Sequence, residues 1–260
     1  MQNLSVMQNY KKKYGQHFLR DRNIIKKIIS ALKPKKSDNL IEIGPGNGAL
    51  TDSLVDLIDR ITLIEKDKDL IPFLTDQYSS FKSIKIIQAD ILKYNLMNHV
   101  HKKTRIIGNL PYNISTEIVF KMISISSKVK DMHFMLQKEV VDRMISGPGS
   151  KIYGRLSIMT QAYFEVEKLF DISPNVFIPK PKVQSSYIKM IPKVYGFKNS
   201  EHENKFKKLV LVAFTARRKM IKTSLKDYID INMLESLLIN PNSRPENLTV
   251  EEFLQIAKHI

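Results

Sequence analysis

Residues 105 to 115, RIIGNLPYNIS, run from an apolar stretch through a glycine to an amide, a proline and an aromatic ring. Ile106 and Ile107 suit a buried strand, but Asn109, Leu110, Pro111 and Tyr112 are awkward residues on which to end one. Together they suit one chemistry. An amine nitrogen conjugated to a purine ring is a weak nucleophile, because its lone pair is delocalised into the ring. Two acceptors beside its N–H groups would localise that pair, and the side-chain oxygen of Asn109 and the main-chain carbonyl of Leu110 can be those acceptors. Pro111 fixes its own φ and restricts Leu110 to an extended conformation, aiming that carbonyl outward. Tyr112 offers a face on which a base can stack, worth about 1–3 kcal/mol in single-strand binders. Such a centre works by positioning and requires no strong base beforehand. Singly, each residue reads as a turn or a packing aromatic. Four in order read as a catalytic motif.

A second cluster lies upstream. IEIGPGNGAL places Gly44, Gly46 and Gly48 in a strand-to-helix turn, where glycine permits a tight bend and close approach of a ligand to backbone. Gly44, Gly46 and Ala49 also satisfy the loose dinucleotide pattern, a weak signal alone. Glu65 ends the next strand and can accept from both ribose hydroxyls, of NAD or of S-adenosylmethionine. Asp90 ends the third and can accept from an exocyclic adenine amine, and Asn109 ends the fourth. No Lys or Arg stands in the glycine turn, which suits a cofactor without phosphates, so S-adenosylmethionine is favoured over NAD. A nicotinamide dehydrogenase would also need an acid or base on the hydride side, and none is evident.

These residues need a frame. Strands are predicted over 39–44, 60–67, 83–90, 104–109 and 131–137, and helices over 49–59, 68–78, 115–124 and 138–145, with Ser115 as an N-cap. Short buried strands alternating with helices predict an α/β fold, a Rossmann-like domain with a mostly parallel, doubly wound sheet. Ligands then bind beyond the carboxyl ends of its strands. Residues 146–155 form a glycine-rich break, read as a mobile loop. Two alternating segments, 164–172 and 182–190, predict a terminal antiparallel hairpin, and 191–201 a linker. Helical spacing alone follows, over 204–225, 232–239 and 249–260. The expected domains are 1–192, catalytic, and 193–260, small and all-helical.

Lys and Arg outnumber Asp and Glu by 42 to 26, a formal charge of +16, and no single tail accounts for the excess. That field favours a polyanion, most simply RNA or DNA, although a lysine-rich genome composition is the plain alternative. With no cysteine there are no disulfides or thiolate ligands, and the six histidines lack metal-ligand spacing, so no metal is expected. No apolar run approaches the ~20 residues that span a bilayer, and no signal-peptide pattern opens the chain. The expectation is a soluble, cytoplasmic protein, with no membrane partner and monomeric by default.

KYGQHFLRD (13–21), IEIGPGNGALT (41–51), IEKD (64–67), QAD (88–90) and GNLPYNIS (108–115) resemble the ribosomal RNA adenine N6-dimethyltransferases, and LQKEVVDRM, YGRLSI and FIPKPKVQSS continue the likeness. The resemblance spans nearly the whole chain. It implies an S-adenosylmethionine-dependent methyltransferase acting on adenine N6. The family's cofactor contacts fall on His17, Leu19, Gly44, Glu65, Asp90 and Asn109, although position 17 is often asparagine in relatives. Asn109, Leu110, Pro111 and Tyr112 match its target-base motif, and Phe177 an aromatic on the other face of the flipped adenine, with hairpin packing as the alternative.

One branch of the family dimethylates two adjacent adenosines in a hairpin loop near the 3′ end of small-subunit (16S) rRNA. Another modifies large-subunit (23S) rRNA and confers macrolide resistance. LVLVAFTARRKMIKTSL (209–225) resembles the small-subunit branch, as does NLPY in place of NIPY. Arg217, Arg218, Lys219 and Lys222 are read on one predicted helix as a phosphate-contacting surface, with Lys11, Lys12 and Lys13 as further contacts. A solvated face is the alternative for each charge run. The implied partner is 16S rRNA, in an immature small subunit, with a part in small-subunit biogenesis. A noncatalytic assembly factor or transcription factor is the remaining alternative.

Overall fold

Five strands rich in isoleucine, leucine, methionine and valine make the parallel part of the sheet. The computed structural model describes residues 16–101, 103–193 and 196–260. In chain order its first half comprises β1 (Phe18–Leu19), α1 (Arg22–Leu32), β2 (Asn39–Ile43), β3 (Arg60–Glu65), α2 (Ile71–Gln77), β4 (Ile84–Gln88), β5 (Thr104–Asn109) and α3 (Ser115–Ile123). The second half comprises β6 (Val129–Gln137), α4 (Lys138–Ile145), α5 (Arg155–Tyr163), β7 (Phe164–Ile172), β8 (Phe177–Ile178) and β9 (Ser185–Pro192). Helices follow: α6 (Ser200–Thr215), α7 (Ile221–Ser224), α8 (Ile231–Ser236) and α9 (Val250–His259).

The seven-stranded sheet has the order β4-β3-β2-β5-β6-β9-β7. It is parallel from β4 to β6, and β9 runs antiparallel to β6. From β2 the chain winds first to β3 and β4, then returns to β5 on the other side. The carboxyl ends of β2 and β5 therefore flank the topological switch point, where such sheets bind ligands. A separate two-stranded ribbon pairs Phe18 with Ile178 and Leu19 with Phe177.

β2 and β5 are buried along most of their length, as parallel strands covered on both faces must be. They also approach closely. A Cβ on Gly108 would lie 2.6 Å from the carbonyl oxygen of Ile43, which no side chain tolerates. α1 starts where Asp21 Oδ1 accepts from the N–H groups of Asn23 and Ile24, and stops at Lys33 in the left-handed region (φ 50°). Its buried Ile28 and Leu32 pack with Leu40, Leu54, Ile61, Leu63 and Leu74.

Two compact units divide the chain. The first runs to Val141 and resumes over Glu167–Pro192; the second takes Asp142–Val166 and Lys193–Ile260. The break after residue 192 is thus a boundary of both units, while Asp142–Val166 groups with the helices. In the second unit Asn199 caps α6 through His202 N–H, and Thr249 and Glu252 form a reciprocal capping box on α9.

Several local expectations are corrected. Residues 49–59 form consecutive turns and not a regular helix. The Thr51 carbonyl accepts from both Leu54 and Val55, and Thr51, Asp52 and Ser53 are weak helix formers. Ser115 is the first residue of α3 and not its cap, because its hydroxyl donates back to the Tyr112 carbonyl. The glycine-rich break is anchored: Tyr153 is fully buried and Gly149 N–H donates to the Glu246 carbonyl. The expected linker carries Phe197, whose ring meets Tyr163, His202 and Phe206. Helices α1 and α5, unassigned from the sequence, are present. Lys11, Lys12 and Lys13 lie outside the described residues.

Near the amino end of β5 the guanidinium of Arg105, 4 % exposed, binds Asp131 at 2.7 and 2.8 Å, Asp38 at 3.0 Å and the Leu32 carbonyl at 2.7 Å. Burial by itself would raise the Asp131 carboxyl, but its neighbours His133 and Arg105 outweigh it and hold it well below the usual range. Removing Arg105 strands two buried carboxylates. Arg105→Ala is expected to destabilise the fold by about 3–5 kcal/mol. Urea denaturation checks this, and a loss under about 1 kcal/mol, the scale of an exposed pair, would contradict it.

Candidate active site

The switch point opens into a cleft of about 1060 Å³, counted to its solvent-open mouth. Its walls come from the segment before and within β1 (Gln16 to Leu19), the glycine turn after β2, the end of β3 and the segment from Asn109 to Ile114. The three glycines of the turn take positive φ of 66°, 60° and 82°, values that favour glycine. Their surroundings differ. A Cβ on Gly44 would meet nothing within 4 Å, whereas one on Gly46 would strike the Phe18 ring at 2.8 Å and one on Gly48 the Tyr78 hydroxyl at 2.1 Å. Of the three, Gly44 alone has open space where a Cβ would stand, so a ligand can approach its backbone from that side.

Acids line this cleft. Glu65, 5 % exposed, accepts from Asp67 N–H at 2.8 Å and Gly46 N–H at 3.2 Å. Burial raises its carboxyl despite those bonds. Asp90 itself is not part of the wall, although its neighbours Ala89 and Ile91 are. Its Oδ2 holds the Lys66 ammonium at 2.8 Å, and this hydrogen bond, working against burial, lowers its pKa. Glu42 was missed in the sequence reading. It faces the cleft from β2, and its signal was available: a lone acid within the apolar strand LIEI.

At the end of β5 the Asn109 side chain donates through Nδ2 to the main-chain carbonyl of His17 at 2.7 Å. Oδ1 is left without a described partner. Leu110 is buried; its N–H donates to the Met135 carbonyl, and its own carbonyl accepts no hydrogen bond from a described residue. Pro111 takes φ −59° and ψ 127°, and a 3-10 turn over Tyr112–Ile114 leads into α3. The Tyr112 ring lies 5.1 Å from that of His17, tilted 32°, and its hydroxyl shares a 2.6 Å hydrogen bond with Ser185. Burial raises the phenol, which keeps it protonated at neutral pH. His17 Nδ1 lies 2.7 Å from the Pro179 carbonyl.

His17, Leu19, Gly44, Glu65, Asn109, Leu110, Pro111 and Tyr112 thus share one cleft. Phe177 does not join them. It is 1 % exposed and packs in the core with Leu19, Met135 and Tyr187, the hairpin-packing alternative. The basic cluster does not share one helix either. α6 ends at Thr215, so Arg217, Arg218 and Lys219 lie in the following turn and Lys222 on α7. Arg217 fastens that turn, bonding Glu246 Oε2 and the Lys151 carbonyl, each at 2.6 Å. Arg218 and Lys219 are exposed.

Room beside Gly44, a buried ribose-directed carboxylate and no cation within the glycine turn fit S-adenosylmethionine. Fold and site together define a Rossmann-like, S-adenosylmethionine-dependent methyltransferase. The profile of the ribosomal RNA adenine dimethylase family matches residues 7–260, and the chain belongs to that family. A protein of Saccharophagus degradans named "Ribosomal RNA small subunit methyltransferase A" is 42% identical over 259 residues, covering 98% of this chain and 97% of the relative. Its namesake in Coxiella burnetii (strain CbuG_Q212) is 44% identical over 248 residues, covering 95% and 96%. The crystal structure of a dimethyladenosine transferase from Plasmodium falciparum superposes with a TM-score of 0.80 at 27% identity, covering 92% of this chain and 96% of that one. Among the described residues, no helix is long and apolar enough to cross a membrane.

Glu42 gives the site a measurable signature. It is 2 % exposed, and burial pushes its carboxyl up to about 7, against a 2.6 Å hydrogen bond from the Thr51 hydroxyl. Unfolded, it titrates near the ordinary 4.5. Between those values the folded protein holds the proton more tightly than the unfolded chain. Its contribution to stability therefore falls as pH rises from 4.5 to about 7 and then levels off. The total fall is up to about 3 kcal/mol, at 1.36 kcal/mol per pKa unit. Glu42→Gln is expected to flatten this decline in urea melts from pH 5 to 8. An unaltered profile would contradict the assignment.

Proposed function

We propose that this protein transfers methyl groups from S-adenosylmethionine to N6 of two adjacent adenosines in a hairpin loop near the 3′ end of 16S rRNA. The observation that carries this reading is a pair of consecutive cleft-lining residues, Asn109 and Leu110, that each keep an acceptor without a described partner. The Asn109 amide donates through Nδ2 to the His17 carbonyl, and neither its Oδ1 nor the carbonyl of the next residue, Leu110, is engaged by a described residue. Relatives 42% and 44% identical, each named for the small subunit, support the choice of rRNA.

When bound, S-adenosylmethionine supplies a methyl group made electrophilic by its sulfonium. The protein does the rest. The backbone at Gly44 admits the cofactor, Glu65 accepts from its ribose hydroxyls, and Asp90 takes its adenine amine in exchange for the Lys66 ammonium. His17 and Leu19 wall the same cleft. Asn109 Oδ1 and the Leu110 carbonyl accept the two N6 hydrogens of the target adenine, favouring a nitrogen with a localised lone pair. Pro111 holds that carbonyl in place, and Tyr112 stacks on the base. The proton leaves after transfer, so no strong base is needed. A loop target lowers the cost of extruding the base, because loop bases are already partly unstacked.

The helical C-terminal region, 193–260, contacts RNA phosphates through Arg218, Lys219 and Lys222, while Arg217 braces their turn. Its binding should weaken with salt as counterions are released. The protein acts as a cytoplasmic monomer on an immature small subunit and contributes to small-subunit biogenesis.

The test incubates small and large subunits lacking these modifications separately with the protein and S-adenosylmethionine. Mass spectrometry of nuclease digests then looks for N6,N6-dimethyladenosine. The reading predicts it at adjacent positions of small-subunit rRNA alone. Product in large-subunit rRNA would overturn the substrate, and no product from folded, cofactor-binding protein would leave a binding role instead.

A further inference from the structure

Ser185 and Ser186 are adjacent on β9, so their side chains leave opposite faces of the strand. Both are fully buried, and each hydroxyl has a different task. Ser186 donates to Asp171 Oδ1 at 2.6 Å, on a carboxylate that also holds Lys138 and Lys168. Ser185 reaches the Tyr112 hydroxyl, also at 2.6 Å. A buried hydroxyl without a partner is costly, and Tyr112 is the described side chain that satisfies this one.

The bond lies where it can govern the ring. Ser185 pairs with Gln137, the last residue of β6, and the Lys138 N–H closes the same end on the Gln184 carbonyl. That anchor belongs to the rigid sheet, whereas Tyr112 belongs to a short turn. The turn is fixed at its main chain, where Ser115 Oγ donates to the Tyr112 carbonyl at 3.2 Å. The His17 ring packs against Tyr112 with centroids 5.1 Å apart and a 32° tilt, so a base must stack on whatever part of the ring His17 leaves uncovered. Without a tether at its hydroxyl, the ring could still swing about its side-chain torsions.

We propose that Ser185 is a positioning residue: its hydroxyl fixes the Tyr112 ring so that the part His17 leaves uncovered meets the target adenine in register with Asn109 and Leu110. This rests on the reading of Tyr112 as the stacking platform. Ordering the ring before the base arrives removes that cost from the binding step. The constraint matters twice, since a singly methylated adenine must be held in the same register for the second transfer.

The test is a double-mutant cycle on single-turnover methylation of small subunits, with adenosylhomocysteine affinity measured alongside. Ser185→Ala and Tyr112→Phe should each slow transfer roughly 3- to 10-fold, the effect of one ordinary hydrogen bond. Each should also raise the share of monomethylated product and leave adenosylhomocysteine affinity unchanged. The double variant should be no slower than the worse single, because both remove the same contact. Additive losses, a wild-type rate for Ser185→Ala, or a parallel loss of adenosylhomocysteine affinity would overturn the proposal. If Ser185→Ala fails to fold, Tyr112→Phe decides: the stated slowing with intact cofactor affinity supports the proposal, and a wild-type rate overturns it. Tyr112→Ala separates the two levels. Unimpaired methylation there sinks the stacking reading, whereas collapse there with a wild-type Ser185→Ala sinks only the role of Ser185.

Discussion

The site depends on one hydrogen bond, from Asn109 Nδ2 to the His17 carbonyl at 2.7 Å. A main-chain carbonyl can only accept, so the amide must present its nitrogen to His17 and its oxygen elsewhere. That single contact fixes which end of Asn109 serves chemistry. It also ties the segment before β1 to the end of β5, so that one wall of the cleft and the reacting groups are held together. The close approach of β5 to β2 at Gly108 brings the amide beside the glycine turn.

β5 divides its labour along its length. Near its amino end Arg105 satisfies two buried aspartates and the last carbonyl of α1, an arrangement that serves stability. Its carboxyl end leaves Asn109 Oδ1 and the Leu110 carbonyl without described partners, an arrangement that serves a ligand. The neighbouring acids follow the same division. The Glu65 and Glu42 carboxylates are kept at the cleft although burial raises both pKa values. Asp90 holds a lysine that the cofactor's adenine is proposed to replace.

What could be read from the sequence was whatever a single element carries. The glycine turn, the strand-ending Glu65 and the NLPY segment are contiguous, and their strand context is set by flanking apolar runs. What escaped depends on partners remote in sequence. Ser185 lies 73 residues from Tyr112, and nothing local marks its hydroxyl as that ring's anchor. Phe177 reads as a stacking aromatic until its pairing with Leu19 puts it in the core. The basic run after residue 216 keeps helical spacing, but Arg217 turns back to Glu246, a contact that no periodicity reveals. Residues 49–59 depart from a helix for a local reason: they keep helical spacing but carry poor helix formers around Thr51.

The most direct measurement is the single-turnover rate of methyl transfer by Asn109→Ala at saturating S-adenosylmethionine and small-subunit substrate. The expected rate is about 10²–10³-fold below wild type, the scale seen when one preorganised polar group is removed from a reacting centre. A folded Asn109→Ala protein within about threefold of the wild-type rate, a difference of under 1 kcal/mol, would contradict it.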